Sequence, residues 1–313
     1  MKNTTIAKDV LIVGGGPAGL SASLWCADLG LSSVVFDRSS HLGGQLLRIH
    51  NPITNYIGLE SVDGRELRDR FMLSFAGIDH EHHSGSEVVN VDTETLSVSL
   101  ADDRLYKGRA IVIATGVRRR TLGVPGELEF AGKGILDSGA KERRSAAGKR
   151  VAVIGGGDAA AENALMLAEF AEKVVLIHRG PRLSARDEFL KPSFSHPKIE
   201  IRLNTTVTGF NGDQTLEKIG IEGRTNGSAE DLALDLAVIR IGVQPNTEFL
   251  GGQIELDHAG YAIVTRTCET SNAGVYAVGD VSNASSPTIS TAVGTGATAS
   301  KAIFSLLKLS LPV

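Results

Sequence analysis

Residues 9–30 read DVLIVGGGPAGLSASLWCADLG, and residues 149–171 read KRVAVIGGGDAAAENALMLAEFA. Each stretch opens with a short β-branched run, passes through three consecutive glycines and continues with an apolar stretch of helical period, which is the order strand, turn, helix. Each then reaches a second apolar run, SVVFD ending at Asp37 and KVVLIH ending at His178. The interval from Gly14 to Asp37 equals that from Gly155 to His178. The chain therefore carries two Rossmann-type strand-helix-strand units, and its class is α/β.

The glycines have separate tasks. Gly14 and Gly155 permit the tight turn that leaves the strand, Gly16 and Gly157 leave room for a pyrophosphate, and Gly19 and Ala160 let the helix close on the sheet. The phosphates then face the unpaired N–H groups at the helix start. Asp37 places a carboxylate where a ribose diol can donate to it, as expected for the adenosine half of FAD or NAD. His178 and Arg179 stand at the matching position of the second unit, where they favour a 2′-phosphate and hence NADPH, with NADH as second choice. A solvated basic loop is the alternative reading of those two residues.

Composition narrows the function further. The 313 residues include 36 glycines but only nine prolines, so the glycine excess over a typical ~7% serves turns rather than low complexity. A net charge of −4 gives no electrostatic footprint for nucleic acid or an anionic membrane. The apolar stretch from Val10 to Leu31 is broken by glycines and Pro17, so it reads as strand, turn and helix rather than as a leader or a span. A cytoplasmic protein is expected. Cys26 and Cys268 are the only cysteines, which excludes a disulfide scaffold or a zinc site made from several thiolates. Cys26 reads as a buried small hydrophobe on the first Rossmann helix, and Cys268 as a residue on a strand.

Two further strands end in turn signals, at Ala114-Thr115-Gly116 and at Gly279-Asp280. Asp280 precedes a helix expected to begin near Thr288, so its carboxylate could hold a ribityl hydroxyl while that helix start faces the polar edge of a flavin. A plain turn is the alternative for the Gly-Asp pair.

Taken together, GGGPAG at Gly14, GGQL at Gly43, ATG at Ala114, GGGDAA at Gly155, IGVQPNT at Ile241 and GVYAVGDV at Gly274 make the chain resemble the low-molecular-weight thioredoxin reductase family of flavoproteins. The resemblance implies two Rossmann-like, three-layer nucleotide-binding domains, the second inserted into the first. An FAD domain is expected at residues 1–120 plus 246–313 and an NAD(P)H domain at residues 121–245, with crossings near 120–125 and 242–247, where turn residues concentrate. It implies FAD contacts at Gly14, Gly16, Pro17, Ala18, Asp37, Gly44, Gln45, Leu46, Asn55, Val88, Thr115, Gly116, Gly279 and Asp280. Where the family has an Arg-Gln-Ala string near the flavin's pyrimidine edge, this chain has Pro287, Thr288 and Ile289, so backbone amides would serve there. On the nucleotide side it implies Gly155, Gly157, Asp158, Ala159, Ala160, Glu162, His178, Arg179, Arg182 and Ile241. A homodimer is also implied.

Two departures stand out. The family's Cys-x-x-Cys falls on Ser138, Gly139, Ala140 and Lys141, and neither a hydroxyl nor an ammonium cycles between dithiol and disulfide. No catalytic residue is assigned. The family's His-Arg-Arg-x-x-x-Arg set becomes HRGPRLSAR, with Gly180 in place of the second arginine and others at Arg182 and Arg186.

The expected activity is thus an FAD-dependent NAD(P)H oxidoreductase without an internal dithiol, reducing an external acceptor: ferredoxin or flavodoxin, a small disulfide, a quinone or another compound. Ferredoxin-reducing relatives carry a C-terminal extension that this chain, ending at Val313, does not match. The glycine-loop cysteine of the small-disulfide type is replaced by Ala18. A flavin-binding sensor or partner subunit without efficient nucleotide turnover is the alternative, and thiols supplied by a partner are a third reading. His80, His82 and His83 are expected on a solvated edge strand rather than on a metal, since adjacent strand residues face opposite ways. Of Arg118, Arg119 and Arg120, one is expected to bridge the domains and the others to be solvated.

Overall fold

The computed structural model describes residues 6–59, 63–78 and 80–309. The chain forms two compact units, one of Met1–Arg118 with Gln244–Val313 and the other of Arg119–Val243. The second is an insertion in the first.

The first unit is built on a five-stranded parallel sheet in the order Val275–Ala277, Ala110–Ile113, Val10–Val13, Ser33–Asp37, Glu81–Ser84. Alternate side chains of the central strand enter different cores. Val10 and Ile12 pack under the helix Pro17–Asp28 and the helix Ile289–Leu309, together with Ala18, Ala22, Ala299 and Ile303. Leu11 and Val13 face the other way, toward Val91, Val98 and Tyr106 of a second, four-stranded sheet. The two helices approach closely because Gly296 has no Cβ; one would lie 2.4 Å from the Ala18 carbonyl oxygen.

The inserted unit repeats this plan. Its parallel sheet runs in the order Ile135–Leu136, Leu236–Ile239, Arg150–Ile154, Lys173–Ile177, Ile199–Arg202. Val151 and Val153 pack with Ala160, Ala164 and Leu167 of the helix Asp158–Ala168. Ala152 and Ile154 face Val207, Phe210, Ile219 and Ile221 of a three-stranded antiparallel meander. Each unit is thus three-layered, with the carboxyl ends of its parallel strands leading into the glycine turns. That edge is where open α/β sheets bind ligands.

Among the described residues, no helix is long and apolar enough to cross a membrane, and no group of three His, Cys, Asp or Glu side chains could hold a metal ion.

Candidate functional site

In the first unit the Val10–Val13 strand leaves the sheet at Gly14, whose φ is +107° and where a Cβ would lie 2.4 Å from the Ala114 carbonyl oxygen. A Cβ on Gly19 would lie 1.9 Å from the Gly14 oxygen, so this glycine sets the helix against the strand end. Gly16 differs: the atom nearest a Cβ there is Gly44 Cα at 3.8 Å. The space before Gly16 is open. Gly16 also begins the Pro17–Asp28 helix with no side-chain cap. Pro17 has no N–H, so the first-turn amides of Ala18 and Gly19 are the ones left to meet an anion. Asp37 does more than end its strand: its carboxylate accepts from Gly15 N and from Ser39 N, both at 2.7 Å. A carboxylate has about four acceptor positions, so two remain for a ribose diol.

The rest of this site comes from distant segments of the same unit. Gly44 has φ of +51° and approaches Gly16, and Gln45 Nε2 donates to the Val117 oxygen at 2.7 Å. Leu46 is fully buried in a core with Ile53 and Leu67, so only its backbone can face a ligand. Asn55 is exposed, and Val88 opens the strand Val88–Asp92. Thr115 Oγ1 donates to the Asn246 oxygen and Asn246 Nδ2 donates back to the Thr115 oxygen, both at 2.8 Å, which braces the turn ending at Gly116. Gly279 N donates to Thr295 Oγ1 at 2.9 Å. Asp280 is half-buried; burial pushes its carboxyl above the usual aspartate range, and among the described residues its carboxylate has no hydrogen-bond partner. Thr288 caps the following helix by accepting from Thr291 N at 3.1 Å through Oγ1, and its carbonyl takes Ala292 N at 3.0 Å. The amides of Ile289 and Ser290 thus head that helix without a partner in their own turn.

The second cradle follows the same pattern. Gly155 has φ of +149°, with the Arg240 oxygen 2.1 Å from where a Cβ would sit, while at Gly157 nothing lies closer than Ser184 Oγ at 3.9 Å. Ala160 stands where the first unit has Gly19, and a Cβ on Gly155 would lie 3.0 Å from its methyl. Gly157 begins the Asp158–Ala168 helix, again without a side-chain cap. Asp158 would repel a phosphate, but Arg186 binds its carboxylate through its backbone N at 2.7 Å and Nε at 2.6 Å, which also holds that carboxyl below its usual range. Ala159 supplies a first-turn amide beside it. The His178 ring lies over two glycines, its Nδ1 2.3 Å from a Cβ on Gly156 and its Nε2 2.7 Å from one on Gly180. Burial, then the Arg179 charge, depress its pKa below the usual histidine range, against a bond to the Arg182 backbone that raises it. Arg179 and Arg182 are exposed. Glu162 is half-buried, and Ile241 packs on the unit's core.

At the position matched to the family's dithiol, Ser138 Oγ accepts from Lys141 N at 3.2 Å while the Glu142 carboxylate accepts from Ser138 N at 2.9 Å. These reciprocal bonds cap the short helix Gly139–Glu142. Ser138 is buried and its hydroxyl is engaged; Lys141 is exposed. Both cysteines are free and buried. Burial raises the Cys26 thiol to about 11 and also raises that of Cys268.

Several expectations are corrected. Cys268 sits in a turn with φ of +65°, not on a strand. None of the three successive arginines is merely solvated: Arg118 binds Glu248, Arg119 binds Asp137, and Arg120 Nε donates to the Val243 oxygen at 2.9 Å. His83 is not free in solvent either, since its Nε2 lies 3.0 Å from both Glu81 and the Tyr106 hydroxyl. His80 and His82 stack on each other, their rings 5.1 Å apart. Glu142 and Asn246 join the site as partners, and in the sequence only the S-x-x-x-E spacing and the Asn of IGVQPNT signal them.

A sequence model of the pyridine nucleotide-disulphide oxidoreductases matches residues 8–296. The chain belongs to that family. It is 32% identical over 300 residues to the bifunctional thioredoxin reductase/thioredoxin of Mycobacterium leprae, covering 93% of this chain and 64% of that one. It is likewise 32% identical over 307 residues to an NADH dehydrogenase of Bacillus subtilis, covering 96% and 58%. The chain thus spans less than two thirds of these relatives. The crystal structure of Lactococcus lactis thioredoxin reductase superposes with a TM-score of 0.86 at 29% identity, covering 96% of this chain and 99% of that one. The thioredoxin reductase-like flavoproteins of this family use FAD and NAD(P)H, and the open cradles at Gly16 and Gly157 suit their pyrophosphates.

Proposed function

We propose that the protein is an FAD-dependent NAD(P)H oxidoreductase that reduces an external acceptor without an internal dithiol. The observation that carries this reading is the pairing of two open phosphate cradles with a capped Ser138 at the position where the family has its first redox cysteine. Bound together, FAD and the nicotinamide supply hydride transfer. The chain's own residues bind and orient: Gly16 and the Ala18 amide face one pyrophosphate, Asp37 the ribose of FAD, Asp280 a ribityl hydroxyl, and the amides of Ile289 and Ser290 the flavin's polar edge. Gly157 and Ala159 face the second pyrophosphate. Arg179 and Arg182 are the cations for a 2′-phosphate, which ranks NADPH ahead of NADH. Ser138 and Lys141 hold a helix start rather than carry electrons, so the acceptor meets the flavin directly. Ferredoxin or flavodoxin, a small disulfide and a quinone are the acceptor classes to assay. A cytoplasmic homodimer is part of the same proposal and rests on the family resemblance alone.

A second reading, a flavin-binding sensor or partner subunit without efficient turnover, is favoured by the engagement of Arg186 with Asp158 and by Gly180 in place of an arginine. Anaerobic stopped-flow mixing of the FAD-loaded protein with NADPH and with NADH separates the two. Rapid bleaching of the flavin band, faster with NADPH, is expected; a band that persists with both nucleotides leaves the sensor.

A further inference from the structure

Arg240 follows the strand Leu236–Ile239 in the inserted unit. Its N donates to the Ile154 oxygen at 2.7 Å, which seats its backbone beside the exit of the Gly155 turn. Its guanidinium reaches sideways over the carboxyl end of the sheet: Nη1 donates to the Ile239 oxygen at 2.8 Å and Nη2 to the Asp137 oxygen at 3.2 Å. Among the described residues it has no carboxylate within ion-pair distance. The nearby Asp137 carboxylate is bound by Arg119, and Glu142 accepts from Ser138 N. By contrast, Arg118, Arg150, Arg186 and Arg202 each hold a carboxylate.

A half-buried guanidinium hydrogen-bonded only to carbonyls is costly, because its desolvation is offset by dipoles and, beyond ion-pair distance, by the Asp137, Glu142 and Glu162 carboxylates, with no directly paired counter-ion. Burial, then the Arg119 charge, push its pKa down to about 10. Three of its five N–H donors have no partner among the described residues. Its place in the sheet indicates what is missing. The strands run Ile135–Leu136, Leu236–Ile239, Arg150–Ile154, Lys173–Ile177, so His178 lies on one side of the Gly155 turn and Arg240 with Asp137 on the other. A dinucleotide whose adenosine ribose sits at His178 and whose pyrophosphate sits over the glycine turn extends toward Arg240 with its remaining half.

We infer that Arg240 is a nucleotide-binding residue whose guanidinium is the counter-ion of the dinucleotide pyrophosphate on its nicotinamide side. This rests on the reading of the inserted unit as the nicotinamide nucleotide site. It assigns the pyrophosphate a cation that the glycine turn does not provide, while Arg179 and Arg182 serve the opposite end of the ligand.

The test is calorimetric titration of the FAD-loaded protein with NADP+ and with 2′-AMP, which carries the 2′-phosphate but no pyrophosphate, alongside thermal melts without nucleotide. Arg240→Met is expected to weaken NADP+ binding roughly ten- to hundredfold, the loss of a charge-assisted hydrogen bond. It should leave 2′-AMP binding within about twofold and flatten the salt dependence of NADP+ binding. Arg240→Lys should recover part of the affinity. Without nucleotide, R240M should melt no lower than wild type, because an unpaired charge has been removed. Undiminished NADP+ affinity in both variants overturns the inference, as does an equal loss for NADP+ and 2′-AMP. A wild-type protein that binds neither NADP+ nor NAD+ overturns the nucleotide reading of the whole unit as well.

Discussion

At the end of its second strand each cradle meets a different side chain, and the two units use that position in different ways. Asp37 accepts from Gly15 N and Ser39 N, so the first cradle is tied to the carboxylate proposed to bind the ribose. His178 does not bond its own glycine turn; its ring lies on Gly156 and Gly180 and bonds the Arg182 backbone, while the second turn is held by Ser184 N donating to the Gly156 oxygen at 2.7 Å. The first cradle is braced by the group that would bind the ligand, and the second by groups beside it. The second is therefore the one whose specificity can change without loss of the fold.

The helix-packing position gives the largest test of this difference. Gly19→Ala places a methyl 1.9 Å from the Gly14 oxygen and is expected to destabilise by about 3 kcal/mol or more and to abolish FAD retention. Ala160→Gly, the reciprocal change in the second cradle, is expected to lose about 1 kcal/mol from helix propensity alone. Thermal melts and the flavin-to-protein ratio of the purified variants measure both, and equal effects would break the comparison. Next in size is the strand end itself. Asp37→Ala strands two backbone donors and should lower stability by about 1–3 kcal/mol in the apoprotein. His178→Ala should stay within about 1 kcal/mol of wild type, as read by urea denaturation.

The smallest effect belongs to pH. Burial raises the Asp280 pKa in the fold, so the folded state holds that proton at pH values where the unfolded chain has released it. The contribution of Asp280 is then complete below the ordinary aspartate pKa and falls as pH rises through the raised value. Asp280→Asn should give the apoprotein a slightly higher Tm at neutral pH, with the gain vanishing in acid, and should weaken FAD retention. A gain that persists unchanged in acid would show that ionisation is not its source.

The cradles were legible in the sequence because turn geometry dictates glycine at Gly14 and Gly155, and because helix length carries each unit to Asp37 and His178 at one spacing. What was hidden depends on contacts between segments remote in the chain. The bond from Gly15 N to Asp37 and the mutual bonds of Thr115 and Asn246 follow from how the strands are ordered in the sheet, which no local pattern expresses. The engagement of Arg186 with Asp158 is of the same kind. Ser138 stands where the family's first cysteine falls, and its own turn carries a local signal of a different kind, a cap shared with Glu142. Cys268 is expected on a strand but closes a left-handed turn with φ of +65°.

In the proposed reaction electrons enter through two nucleotide cradles and leave without a dithiol. Anaerobic titration of the FAD-loaded protein with NADPH tests this most directly, carried out in parallel on the wild type and on a Cys26→Ala, Cys268→Ala variant. Complete bleaching at one NADPH per flavin in both proteins is the predicted result. A requirement for two NADPH per flavin in the wild type alone, or no bleaching in either protein, would contradict it.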